Sequence, residues 1–257
     1  MKFKQFALVL FCLCFELNAK EARSVYQISP AIDGTVIAAT SLISAIPYLC
    51  APGLINRRCP CNPDEINSFD RPAVGNNSVF ARRATDFMVT SAIIGPLIYE
   101  YFDVGWNSVL LEDTVVFAEV LAVNSALVTV VKFLVQRPVP LAYSGEWAND
   151  NEGYLSFYSG HTSTFVSALA GAAMTLNFRH DLGALPWIAT GVLATAMGLG
   201  RVAGGTHFYT DVIVGGLVGA SVGILVPWLH KKESTTTKFM LLPIGNEGVQ
   251  LSLFRAL

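Results

Sequence analysis

Six mostly apolar stretches recur along this chain, at residues 32–49, 84–102, 110–131, 159–178, 186–200 and 207–229. A helix rises about 1.5 Å per residue, so roughly 20 residues cross the ~30 Å hydrocarbon layer of a bilayer. An open chain satisfies its backbone there only as a helix. The expectation is therefore an all-α bundle of about six long apolar helices. Composition agrees: 53% of residues are hydrophobic, 14% are charged, and the mean hydropathy is +0.49. The formal charge of -2 and the lack of any basic run longer than two residues argue against a nucleic-acid partner, which needs several phosphate neutralisers.

The breaks between stretches set the domain plan. Met1-Lys2-Phe3-Lys4, an apolar run over 6–15 and then Leu17-Asn18-Ala19 have the layout of a secretory signal peptide, so residues 1–19 are expected to be a signal peptide or an N-terminal anchor. Residues 20–230 make the helical domain, with a motif-bearing core at 110–229. Pro60, Pro63, Pro72 and Gly75 break residues 56–83 into a polar surface loop, in which Asp70-Arg71-Pro72 reads as an ion-paired brace. Beyond the leader, Cys50, Cys59 and Cys61 are odd in number. A loop-closing link from Cys50 to one of the other two is a pairing that an oxidising compartment permits, and Cys59-Pro60-Cys61 is too closely spaced for the usual zinc pair.

Residues 132–158 form a polar link in which Pro138 and Pro140 forbid a continuous helix. Its aromatics Trp147, Tyr154, Phe157 and Tyr158 suit a membrane–water boundary or the entry of an acyl chain. Glu112, Asp113, Glu119 and Asn124 lie within the third stretch, where polar groups must face other helices. The fourth stretch is rich in small residues, from Ala168 to Ala173, which permits close approach. At the other end of the chain, residues 231–257 are expected to be a linker and a small C-terminal β-hairpin, since Val249, Leu251 and Leu253 alternate with polar residues after a turn at 245–248.

The chemistry gathers at two helix starts. His207 and Asp211 are four apart, so on one helix face the carboxylate can orient the imidazole, whose free nitrogen is then a nucleophile for phosphorus. Arg201 stands six residues earlier, across Gly204-Gly205, with a guanidinium fork suited to phosphate oxygens. Ser159, Gly160 and His161 open the fourth helix, where backbone N–H groups and the serine hydroxyl can bind an anion and His161 can serve as general acid. Lys132 and Arg137 stand upstream as further phosphate ligands.

These residues resemble the motifs of the type 2 phosphatidic acid phosphatase and vanadium haloperoxidase superfamily (the PAP2 family). Tyr158-Ser159-Gly160-His161 is similar to its Pro-Ser-Gly-His motif. Gly200-Arg201, His207 and Asp211 are similar to its Ser-Arg, five residues, His, three residues, Asp motif. The family's first motif, Lys, six residues, Arg-Pro, is met by Lys132, but its arginine falls on Val139 before Pro140. Either Arg137 supplies that charge through a shifted loop, or the clamp is reduced to Lys132 and Arg201. The resemblance implies a bacterial membrane phosphatase needing neither metal nor cofactor, in which His207 attacks phosphorus to form a phosphohistidine, His161 protonates the leaving group and Asp211 orients His207. Lys132, Arg137, Ser159, Gly160 and Arg201 would hold the phosphoryl oxygens. The apolar surroundings point to a lipid phosphate as substrate, with the site facing the periplasm from the inner membrane. The alternatives are a non-specific phosphatase of soluble phosphomonoesters in the periplasm, a vanadate-dependent haloperoxidase and a non-catalytic membrane protein.

Overall fold

The computed structural model describes residues 23–232, together with the backbone of two strands at 237–244 and 248–255. The expected signal peptide lies outside the described residues. Among the described residues six long helices carry the fold: α1 Pro30–Leu49, α2 Val79–Val104, α3 Ser108–Val135, α4 Gly160–His180, α5 Leu185–Ala203 and α6 Tyr209–Leu229.

Local chemistry explains where they begin and end. Pro30 follows the Ser29 cap of α1 and occupies the first turn, where its missing N–H costs nothing. Ser78 accepts from Ala81 N to start α2, Asn107 accepts from Val109 N and Leu110 N to start α3, and Ser159 accepts from Thr162 N to start α4. Gln136 and Asp181, both left-handed, close α3 and α4. Helix α2 begins five residues before the expected 84 because Ser78 supplies a cap there.

Helix α4 is the axis of the bundle. It packs against α2, α3, α5 and most extensively α6, while α1 lies outside against α3. The intimacy of α4 and α6 rests on a glycine row four residues apart. A Cβ at Gly215, Gly219 or Gly223 would fall 2.7, 2.3 or 2.5 Å from the carbonyl oxygens of Ser159, Ser163 and Ser167. The close approach thus comes from α6 glycines meeting α4 backbone, in addition to the small residues of α4 foreseen above.

Among the described residues five helices, all but α4, are long and apolar enough to cross a membrane. Their outward faces carry exposed Leu42 and Ile46 on α1, Ile188 and Val192 on α5, and Leu217 and Leu225 on α6. This is a membrane protein. Helix α4 does without strong hydropathy because its neighbours enclose it: Thr162, Ser163, Phe165, Val166, Ser167, Ala168 and Ala170 are all buried.

Two buried polar side chains of α3 find partners on other elements. Asn124 accepts from Ser163 Oγ at 2.6 Å, and Asp113 pairs with Arg179 at 2.7 Å. Arg179 also grips Glu100 at 2.6 Å, so the C-terminal ends of α2 and α4 meet the start of α3 in one ionic knot.

Cys59 and Cys61 form a disulfide with each other, and Cys50 is free and exposed. The link from Cys50 does not form, because Cys50 caps α1 whereas the Cys59 backbone is tied to Tyr154 by a hydrogen bond to its hydroxyl. Asp70 is buried but pairs with Arg137 at 2.7 Å, while Arg71 pairs with the exposed Asp64 at 3.9 Å and donates to the carbonyls of Asp64 and Ile66, each at 3.1 Å. Thr237–Ile244 and Gly248–Arg255 pair as antiparallel strands with Thr237 opposite Arg255; residues 245–247 of the expected turn lie outside the described residues.

Candidate active site

Helices α3 and α5 end, and α4 and α6 begin, at the same end of the bundle. Their termini enclose a cavity of about 200 Å³ lined in part by Lys132, Gly160, His161, Arg201 and His207. Five of the eight residues anticipated from sequence therefore meet in one place. Tyr48 from the end of α1, Trp147 and Glu152 complete much of the wall.

His207 is buried in the loop between α5 and α6. Its Nδ1 donates to the carbonyl of Ser156 at 2.9 Å, which leaves Nε2 as the unprotonated nitrogen of the neutral ring. Asp211 stands 3.8 Å from the same Nδ1, beyond hydrogen-bond distance. The carbonyl thus selects the tautomer, where the sequence suggested Asp211 alone. Burial pushes the imidazole down to about 3, with Lys132 and Arg201 acting in the same direction and Asp211 opposing them. The ring is neutral and ready to act as a nucleophile.

Asp211 is fully engaged elsewhere. Its Oδ2 accepts from Phe208 N at 2.9 Å and Ser156 Oγ at 2.5 Å, and its Oδ1 accepts from Arg137 at 2.6 Å. One carboxylate therefore caps α6, fixes the Ser156 loop whose carbonyl holds His207, and receives a guanidinium. Arg137 spans Asp211, Asp70 and Thr210 and stacks 4.0 Å over the Phe208 ring. It does not line the cavity. The shifted-loop clamp is not formed, because two fully buried carboxylates claim the guanidinium, and buried Val139 lines the wall in the place of the family arginine. Asp70 is held below the usual carboxylate range: burial would raise it, but hydrogen bonds from Thr210, Arg137 and Asn67 outweigh that.

Ser159 likewise acts as structure. Its hydroxyl caps α4, its backbone N–H donates to the Asp211 carbonyl at 3.0 Å, and its side chain does not reach the cavity wall. Gly160 provides room: a Cβ there would sit 3.1 Å from Val128 and 3.4 Å from Lys132 Cε. Lys132 is buried and its ammonium donates to the Leu155 carbonyl.

Sequence reasoning missed Asp86. Its Oδ1 lies 3.1 Å from His161 Nε2 and 3.0 Å from Arg201 Nη1, so a single carboxylate on α2 aligns both groups across the cavity. The Nε of Arg201 is buried with no hydrogen-bond partner among the described residues. Two cations, a nucleophilic imidazole and an orphaned guanidinium N–H converging on a cavity are the elements of a phosphoryl-anion site. Of the aromatics placed at an acyl entry, Trp147 does line the cavity, whereas Tyr154 and Tyr158 are buried in the packing.

Residues 113–234, which hold all of this machinery except Asp70 and Asp86, match the PAP2 superfamily. The match is confined to this segment, which carries the cavity's histidines and cations. Phospholipid phosphatase 1 of Rattus norvegicus and of Mus musculus are each 40% identical over 81 residues, an alignment that covers 29% of this chain and 29% of theirs. The chain thus spans less than a third of the length of these curated relatives. A solved transmembrane PAP2 type phosphatidylglycerolphosphate phosphatase from Bacillus subtilis is similar with a TM-score of 0.47 and 19% identity, over 77% of this chain and 94% of that one. With Val139 in the wall, Lys132 and Arg201 are the cavity-lining cations among the described residues.

Proposed function

We propose that the chain is a lipid-phosphate phosphatase that works through a phosphohistidine, with no metal ion in the phosphoryl-transfer step. The observation that carries this reading is the Ser156 carbonyl on His207 Nδ1, which leaves Nε2 free beside Lys132 and Arg201. The Nε2 lone pair forms the N–P bond as the P–O bond to the lipid breaks. His161 acts as the acid in its imidazolium form, which Asp86 favours through Nε2 against a burial that pushes the ring down to about 4, and it gives its Nδ1 proton to the departing oxygen. Water then attacks phosphorus, His161 takes the water's proton, and the N–P bond breaks to release phosphate and neutral His207. Lys132, Arg201 and the N–H groups at the start of α4 stabilise the equatorial oxygens.

Exposed apolar helix faces around the cavity end support a substrate that arrives within a membrane, such as phosphatidate, phosphatidylglycerol phosphate, undecaprenyl diphosphate or a lipid A phosphate. The Cys59–Cys61 disulfide lies at that end, next to the cavity-lining Val139 and Trp147, and disulfides persist in oxidising compartments. Lys231 and Lys232 lie at the opposite end, after α6. Arg57, Arg58, Arg82 and Arg83 stand at the cavity end and offset that pair, so it is the disulfide that supports a site facing the periplasm from a bacterial inner membrane.

The test is phosphate release by the purified chain from that panel of lipid phosphates and one soluble phosphomonoester, with no metal added, beside His207→Ala. Release from a lipid that is lost in the variant supports the reading. A soluble ester turned over faster than every lipid would reassign the substrate class, and release that survives His207→Ala would refute the mechanism.

A further inference from the structure

At the end of the bundle away from the cavity, three ligand-type side chains from three helices converge. Asp33 lies in the first turn of α1, Glu119 in α3, and His230 caps the C-terminus of α6. Glu119 is 13 residues before Lys132, about 20 Å of helix, so this cluster is remote from the phosphoryl site. One ligand atom from each residue lies within 4.8 Å of the other two.

Proximity of two acids and a histidine is not enough to make a site. Two independent features point to a ligand. Glu119 is only 8% exposed, and its Oε2 is the atom aimed at His230, with no hydrogen-bond partner among the described residues. Along the same helix Asn124 is bonded by Ser163, and Asp113 is held by Arg179 through Oδ2 while its Oδ1 is likewise unpartnered. The second feature is the direction of His230. Its Nδ1 lies 2.8 Å from the Val226 carbonyl, which can only accept, so Nδ1 carries a proton and Nε2 is the ring atom turned to the two carboxylates. A carbonyl on one ring nitrogen with the other turned to carboxylates is how proteins orient a metal-binding imidazole.

The spacings agree. His230 Nε2 is 3.5 Å from Asp33 Oδ1 and 3.5 Å from Glu119 Oε2. Ligands about 2.0–2.2 Å from a tetrahedral ion lie about 3.3–3.6 Å apart. Asp33 Oδ2 is held by Ser29 N at 2.7 Å, which leaves Oδ1 for the cluster. Two carboxylates and a neutral imidazole carry two negative charges, which a divalent cation balances, and an imidazole in the set favours zinc-like transition metals over magnesium or calcium.

We propose that Asp33, Glu119 and His230 bind one divalent transition-metal ion, of the zinc type, which fastens the peripheral helix α1 to α3 and α6. The site takes no part in phosphoryl transfer. Its consequence is mechanical: α1 packs chiefly on α3 and presents Tyr48 to the cavity at its far end, so a cross-link at its near end helps to fix that wall.

The full-length chain in detergent is stripped with a chelator, incubated with Zn²⁺, freed of excess and assayed for metal content. The expected result is about one zinc per chain, with retention at least tenfold weaker in Glu119→Gln and in His230→Asn and unchanged in His207→Ala and Cys50→Ser. X-ray absorption of the zinc-loaded native chain should show a single imidazole among oxygen ligands and no sulfur, a readout that does not depend on the variants folding. Absence of retained zinc would mean a protonated His230 shared by two carboxylates and would overturn the proposal. Equal retention in the cluster variants, or two imidazoles at the metal, would overturn it too by placing zinc at His161 and His207. Neither readout involves phosphate release, so failure here and failure of the phosphatase reading are separable.

Discussion

Gly219→Ala adds one methyl group to α6 at the point where that helix crosses α4. The new Cβ would lie 2.3 Å from the Ser163 carbonyl oxygen and 3.0 Å from its carbonyl carbon, whereas ordinary contact begins at 3.4 Å. The obstacle is backbone, so no side chain can swing aside and the helices must part by about 1 Å. Overpacking of this kind costs about 1–3 kcal/mol. The separation also strains the Ser159 N–H to Asp211 carbonyl bond at the same interface, and through Asp211 it shifts the Ser156 loop that holds His207. A displacement near 1 Å in a reacting group lowers turnover by about 10²-fold.

Gly216→Ala is the control on the neighbouring face, where the nearest atom is Thr162 Cγ2 at 4.0 Å. Replacing glycine there relieves the helix penalty of about 1 kcal/mol and should leave stability equal or raised. The assay is apparent Tm in detergent together with kcat on a lipid phosphate. Should Gly219→Ala match Gly216→Ala in both, the glycine row is not what sets the α4–α6 distance, and the reasoning fails.

Asp86→Asn should lower kcat by about 10- to 100-fold with little change in Tm, because the partly exposed carboxylate aligns His161 and Arg201 but holds up no core. Arg137→Met should destabilise by about 3–5 kcal/mol, since it leaves buried Asp70 and Asp211 without their cation, and Tm is the measurement that separates this from a phosphate clamp, whose loss would raise KM instead. His207 is held at about 3 when folded against an ordinary 6.5, so between those values the unfolded chain binds the extra proton. Stability is accordingly full above about 6.5 and declines as pH falls toward 3, and the fall in Tm over that window should be shallower in His207→Gln. With the site facing the periplasm, Cys50 at the end of α1 should react with a membrane-impermeant maleimide in intact spheroplasts, and Cys50→Ser should lose that label. Labelling only after lysis would reverse the orientation.

What could be read in advance was local. Helix existence follows from apolar runs of spanning length and from Ser, Asn and Pro caps within a few residues, so the six helices lie where the sequence placed them, apart from the extra turn that Ser78 adds to α2. The i, i+4 spacing of His207 and Asp211, and the opening of α4 at Ser159-Gly160-His161, follow from the helical period alone. Which charges face the cavity does not, because that is settled between segments distant in sequence. Arg137 and Arg201 look equivalent as letters. Asp70 and Asp211 take the first into the packing, while Asp86, more than a hundred residues from Arg201, turns the second toward the cavity. The carbonyl of Ser156, which has no side-chain signature at all, holds the His207 tautomer from a loop fixed by Asp211 at the Ser156 hydroxyl and by the Arg137 carbonyl at its N–H. Helix formation is decided by neighbours in the chain, and the electrostatics of a buried site by neighbours in space.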